Sequence, residues 1–135
     1  SGHAEHPVPD HALCATIAEL EAASREPGIT FGSHSWGHAN LASLTEAELA
    51  EELSRSLEWL RARFANVVPH ISYPYGLTSV AVERTARAAG YRSGLRIDGG
   101  WVRTPLGNPF AVPRLNIPAG LSGDGFTMRT AGLLR

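Results

Sequence analysis

The sequence predicts an α/β fold built from parallel βαβ units. Short runs rich in β-branched and aromatic residues alternate with helical patterns of ten to twenty residues, as expected of strands joined by crossover helices. The histidine-bearing and turn-forming segments fall directly after predicted strands, the end at which such folds collect their functional groups. A chain of 135 residues, 43% hydrophobic and 19% charged, has the composition of one globular domain, and no repeat, low-complexity tract or linker divides it. A single domain over residues 1–135 is expected, with Ser1, Gly2 and His3 resembling the remnant of a cleaved affinity tag.

The elements follow in order. Asp10 is placed to cap a helix running to about Ala23, because Leu13, Ile17 and Leu20 recur on one face and Pro27 and Gly28 end it. Residues Ile29 to Ser33 read as a short strand that delivers His34. Thr45 and Glu48 form a capping box, Leu44 and Leu49 a hydrophobic staple, and Leu49, Leu53, Leu57, Leu60 and Phe64 one apolar stripe, which makes this the best-marked helix. A second strand, His70 to Tyr73, is expected after Pro69, and Pro74, Tyr75 and Gly76 then make a tight turn. A helix from about Ser79 to Ala89 ends at Gly90, which suits the left-handed position past a helix C-terminus. Tyr91 to Ile97 and Phe110 to Ile117 are the third and fourth expected strands, separated by a loop rich in Gly and Pro, and Phe126 to Leu134 is weakly helical.

Composition removes several function classes. Formal net charge is -1 with no basic run, so neither nucleic acid nor an anionic membrane surface is an expected partner. The apolar runs are far shorter than the roughly 20 residues of a membrane span, and the chain is expected to be soluble. The single cysteine, Cys14, makes no internal disulfide and is expected to be buried on the first helix.

His34 and His38 lie four residues apart, a spacing that turns both imidazoles the same way if a helical turn follows the strand. Two such rings are able to share a metal ion. Spacing alone decides little, because six histidines in this chain give such a pair by chance roughly one time in four. The alternative is a pair of hydrogen-bonded surface histidines. A helical metalloprotease motif is excluded, since it needs glutamate directly after the first histidine and Ser35 stands there.

Residues 31–41, Phe-Gly-Ser-His-Ser-Trp-Gly-His-Ala-Asn-Leu, resemble the second motif of the polysaccharide deacetylase family (the NodB-homology domain, carbohydrate esterase family 4), which reads His-Ser/Thr-x-x-His. Ser72-Tyr73-Pro74-Tyr75-Gly76 resembles that family's third motif, Arg-x-Pro-Tyr/Phe-Gly, with Ser72 in the place of the arginine. The stretches 89–94 and 110–117 are similar to its later strands, in the branch where a Pro-Arg-Ile/Leu sequence replaces a motif with a general-acid histidine; no histidine follows His70 here.

The resemblance implies a partial irregular (β/α) barrel and a metal-dependent hydrolase that removes N- or O-acetyl groups from a polysaccharide or amino sugar. It assigns His34 and His38 as ligands to Zn2+, or to Co2+ or Ni2+ in its place. Ser35 then shapes the metal loop, and the backbone N–H of Tyr75 serves as a catalytic oxyanion donor. Trp36, Pro74, Tyr75 and Arg114 become substrate-binding, with Arg114 or water assisting the leaving amine. Read without the resemblance, Pro74-Tyr75-Gly76 is a turn, Arg114 an ion-pair partner, and Trp36, Tyr75 and Trp101 aromatics that either stack on sugar rings or pack in the core.

The similarity runs from about residue 12 to 118 and lacks the family's first motif, Thr-Phe-Asp-Asp-Gly, which supplies the general base and a third metal ligand. No Asp-Asp pair occurs here; Asp10, Asp98 and Asp124 are isolated. The chain therefore reads as the C-terminal part of such a barrel, with a non-catalytic metal- or glycan-binding remnant as the competing interpretation. Its exposed strand edges are expected to favour self-association. The family's setting is the bacterial cell envelope or exterior.

Overall fold

A computed structural model describes residues 13–97, 100–102, 104–118 and 120–133. Its elements are α1 (Ile17–Ser24), β1 (Phe31–Ser33), α2 (Glu46–Arg63), β2 (Val67–Ser72), α3 (Val80–Ala88), β3 (Ser93–Arg96), β4 (Val112–Pro113) and α4 (Gly123–Thr130). The four strands form one parallel sheet in the order β1-β2-β3-β4. Strand order that follows the chain without reversal is that of a barrel arc, whereas a doubly wound sheet reverses at a switch point.

The capping box at the start of α2 forms as the sequence predicts, with the Thr45 side chain accepting from the Glu48 N–H and Glu48 reaching back to the Thr45 N–H. Glu46 and Glu48 in the first turn and Arg61 and Arg63 in the last complement the helix dipole. Leu49, Leu53 and Leu57 are buried, each contributing about 1.5–3 kcal/mol through removal from water. With Leu41, Ile71, Tyr73, Val82, Ala86, Tyr91 and Phe110 they form the core, against which Leu44 packs. α2 lies against β1, β2 and α3. No helix among the described residues is long and apolar enough to cross a membrane.

Ser79 caps α3, and Gly90, at φ 95, ends it in the left-handed conformation expected there. Tyr91 then turns inward and its hydroxyl donates to the Leu53 carbonyl at 3.0 Å, tying the start of the third strand segment to α2.

Several expectations are corrected. The first helix begins at Ile17 behind a second capping box, Thr16 with Glu19, which competes better for the helix N-terminus than the apolar pattern upstream. Leu13 and Ile17 are consequently exposed, and so is Cys14, which precedes the helix. The expected cap Asp10 lies outside the described residues. β2 starts at Val67 and includes Pro69. The proline is tolerated because its nitrogen lies on the same side as its carbonyl, which accepts from the Arg92 N–H, and pairing with β3 begins only at the next residue, His70 with Ser93. The fourth strand shrinks to two residues. Pro109 to Ala111 form a 3-10 turn capped by Asn108, which takes the first residues of the expected strand, and the Arg114 N–H to the Arg96 carbonyl is the last bond of its ladder with β3.

Candidate metal and substrate site

His34 follows β1, Tyr73 follows β2, and Arg114 follows β4, so the parallel sheet brings all three to its C-terminal end. His34 is fixed by its neighbour strand: its Nδ1 lies 2.6 Å from the Ser72 carbonyl. A carbonyl only accepts, so Nδ1 carries a proton, and in the neutral imidazole the lone pair is then on Nε2. Metal-bound histidines commonly show this arrangement, with one nitrogen tied to an acceptor and the other free to ligate. The His38 ring stands 4.9 Å from that of His34, centroid to centroid, and 5.0 Å from that of Tyr75, both edge-on. The three rings named from sequence thus form one exposed cluster.

The loop holding the histidines is sharply bent. Ser35 (φ 67) and His38 (φ 56) are left-handed, and Tyr75 (φ 57) in the adjacent turn completes the set of positive-φ non-glycine residues among those described. Backbone strain of this kind, of order 1–3 kcal/mol per residue, persists only where neighbours enforce it and gathers at functional sites. Here side chains enforce it. Ser35 Oγ accepts from the His38 N–H at 3.0 Å. Ser33 Oγ accepts from the Ser35 N–H at 3.2 Å and is itself 2.7 Å from the buried Ser56 Oγ of α2.

The turn after β2 is held differently. Its hydrogen bonds run from the Gly76 N–H to the Tyr73 carbonyl and from the Leu77 N–H to the Pro74 carbonyl, and neither uses the Tyr75 N–H. Pro74 is fully buried, which confines its part to stiffening the turn. The Tyr75 ring is 59% exposed and leans toward His38. Beneath it, the Tyr73 hydroxyl donates to the Phe110 carbonyl at 3.0 Å, and burial pushes that phenol up to about 12.

Trp36 is partly exposed, but the Arg55 guanidinium covers one face at 4.3 Å and the edge of Trp59 approaches at 6.4 Å, so α2 already uses much of its surface. Arg114 is half-buried. Its N–H bonds the Arg96 carbonyl, and its Nε is buried with no hydrogen-bond partner among the described residues. An open depression of about 280 Å³ lies nearby, lined by Arg96, Trp101, Asn108 and Pro113 among others. No group of three His, Cys, Asp or Glu side chains suited to a metal occurs among the described residues, so the histidine pair fits two ligand positions of such an ion and not a full set. Asp98 lies outside them.

Sequence reading missed Ser33, Glu52 and Ser56. The signal was a polar serine at position 56 beside the buried stripe of α2, where an apolar residue is the default.

The family model described as Polysaccharide deacetylase matches residues 10–94. The Bacillus subtilis (strain 168) protein YxkH, which bears the name of a polysaccharide deacetylase, is 28% identical over 99 residues, covering 73% of this chain and 35% of its own length. Among solved structures, the Streptococcus pyogenes deacetylase PplD in complex with acetate matches with a TM-score of 0.76 at 19% identity over 90% of this chain and 53% of its own. The Bacillus cereus polysaccharide deacetylase BC0361 matches with a TM-score of 0.63 at 22% identity, over 73% of this chain and 31% of its own. This chain therefore spans about a third to a half of the length of these relatives.

Proposed function

Because this chain belongs to the polysaccharide deacetylase family, we propose that it carries part of the active centre of a metal-dependent hydrolase that removes N- or O-acetyl groups from a polysaccharide or amino sugar. The observation that carries the reading is the His34 imidazole, whose Nδ1 is committed to the Ser72 carbonyl, leaving Nε2 as its other nitrogen in a ring 4.9 Å from that of His38. His34 and His38 hold the ion, Zn2+ or in its place Co2+ or Ni2+. When bound, such an ion polarises the acetyl carbonyl and acidifies a bound water.

This chain's own groups add further contacts. The Tyr75 N–H, held on a turn braced by Pro74 and outside that turn's own hydrogen bonds, donates to the oxygen on which negative charge develops. The exposed Tyr75 ring and the free part of Trp36 contact the sugar, and Arg114 binds substrate from the end of β4. The acetylated polysaccharide or oligosaccharide is the partner this arrangement suits.

A second reading has a specific observation in its favour. The sequence contains no Asp-Asp pair, and no third ligand stands with the histidines among the described residues. Both facts suit a metal- or glycan-binding remnant that does not turn over. β1 and β4 also end the described sheet, and pairing of such edges between copies would show as concentration-dependent sedimentation.

Zinc content and deacetylation of an acetylated chito-oligosaccharide, measured on this chain and on His34→Ala, separate the readings. Stoichiometric zinc that is lost in the variant is expected. Turnover alongside it would favour the hydrolase; zinc without turnover would favour the binding remnant. No zinc in either protein would remove the metal reading.

A further inference from the structure

Every backbone N–H from Ser35 to His38 donates to a side-chain oxygen. Ser35 donates to Ser33 Oγ at 3.2 Å and His38 to Ser35 Oγ at 3.0 Å, while Trp36 and Gly37 both donate to one atom, Glu52 Oε2, at 3.0 and 2.8 Å. A charged acceptor taking two adjacent N–H groups is among the stronger hydrogen-bonding arrangements available to a loop. The fit is close: a Cβ added to Gly37 would stand 2.9 Å from Glu52 Oε1. Glu52 lies one turn before Ser56 on α2, whose hydroxyl meets Ser33 at 2.7 Å, so two residues on one face of a core-anchored helix grip the loop at its start and its middle. The left-handed Ser35 lies between the gripped points and the left-handed His38 directly after them, conformations that non-glycine residues hold only under constraint.

We propose that Glu52 is a positioning residue of the metal site: without touching the ion, its carboxylate sets the relative placement of His34 and His38 and thereby their shared affinity for a divalent metal. Glu52 does not join the two histidines in any group able to hold an ion. The inference rests on the reading of His34 and His38 as ligands. The two N–H groups it binds are solvent-accessible, so water can satisfy them once the carboxylate is gone. Its removal then costs loop order rather than the fold.

The test uses the whole 135-residue chain and its Glu52→Ala and Glu52→Gln variants. Co2+ binding is followed by visible absorption, Zn2+ affinity by competition, the metal-free unfolding midpoint by circular dichroism, and exchange of the Trp36 and Gly37 amides by NMR. Glu52→Ala is expected to lower affinity about 10–100-fold, to alter the Co2+ spectrum and to speed exchange at both amides, with the metal-free midpoint little changed. Glu52→Gln restores most of the affinity, because one carbonyl oxygen is able to accept both N–H groups as Oε2 does. Faster amide exchange with unchanged affinity and spectrum would overturn the inference and leave the ligand reading standing. An Ala variant that fails to fold in the absence of metal would overturn it too, since the grip would then serve the fold. A parent chain that binds neither ion would remove the ligand reading, and this inference with it.

Discussion

The two loops that meet at His38 and Tyr75 are built on opposite principles. The loop after β1 is gripped from a distance: Glu52 and Ser56, roughly twenty residues on in α2, hold it through hydrogen bonds, and its own residues pack loosely enough to stay exposed. The turn after β2 is locked by close packing, with Pro74 and Gly76 buried and no room for a Cβ on Gly76 against Ile97. A hydrogen-bonded loop is adjustable by one side chain, while a packed turn tolerates almost no change. That contrast suits a site in which ligand placement needs tuning and an oxyanion donor needs rigidity.

Gly76→Ala attacks the packed turn and is expected to have the largest effect. The residue is left-handed at φ 68 and its new methyl would overlap Ile97, so a loss of about 2–5 kcal/mol is expected in urea unfolding. A loss below 1 kcal/mol would mean that the turn is not locked by packing.

Tyr73→Phe takes the next layer. It removes the donor to the buried Phe110 carbonyl, and about 1–3 kcal/mol should go with it at pH 7. The same phenol makes stability depend on alkali. Burial raises it to about 12, above the roughly 10 of an unfolded tyrosine, so its contribution is fully present below pH 10 and is lost as pH rises through 12. Denaturation series across that window should show a fall on the order of 2–3 kcal/mol in the parent and a shallower one in the variant. A residual slope is expected from Tyr91, which burial also raises.

Ser56→Ala probes the gripped loop and is the mildest. Loss of the Ser33 to Ser56 hydrogen bond should cost about 0.5–1.5 kcal/mol, with Ser33 still accepting from Ser35. If this change cost as much as Gly76→Ala, the distinction between a gripped loop and a packed turn would be lost.

Much of this was legible in the chain alone. The Thr45 capping box, the Leu49-Leu53-Leu57 stripe, the end of α3 at Gly90 and the two motifs depend on residues within a few positions of one another, and local geometry reproduces them. The family follows from the same short-range patterns and is shown by the match over residues 10–94. The failures were also local in kind. Thr16 displaced the expected start of α1, and the Asn108-capped 3-10 turn over Pro109 to Ala111 replaced the beginning of the fourth strand.

What only the tertiary structure decided are relations between residues far apart in sequence. The Ser72 carbonyl fixes the tautomer of His34 across 38 positions, the Tyr73 hydroxyl finds the Phe110 carbonyl, and Glu52 closes on Trp36 and Gly37. No periodicity encodes such pairs, because a hydrogen bond reports where two strands or a helix and a loop come to lie, and that is set by the packing of the whole sheet against α2. Sequence named the side chains that resemble ligands; the fold decided which nitrogen of His34 is free to bind and what holds its loop in place.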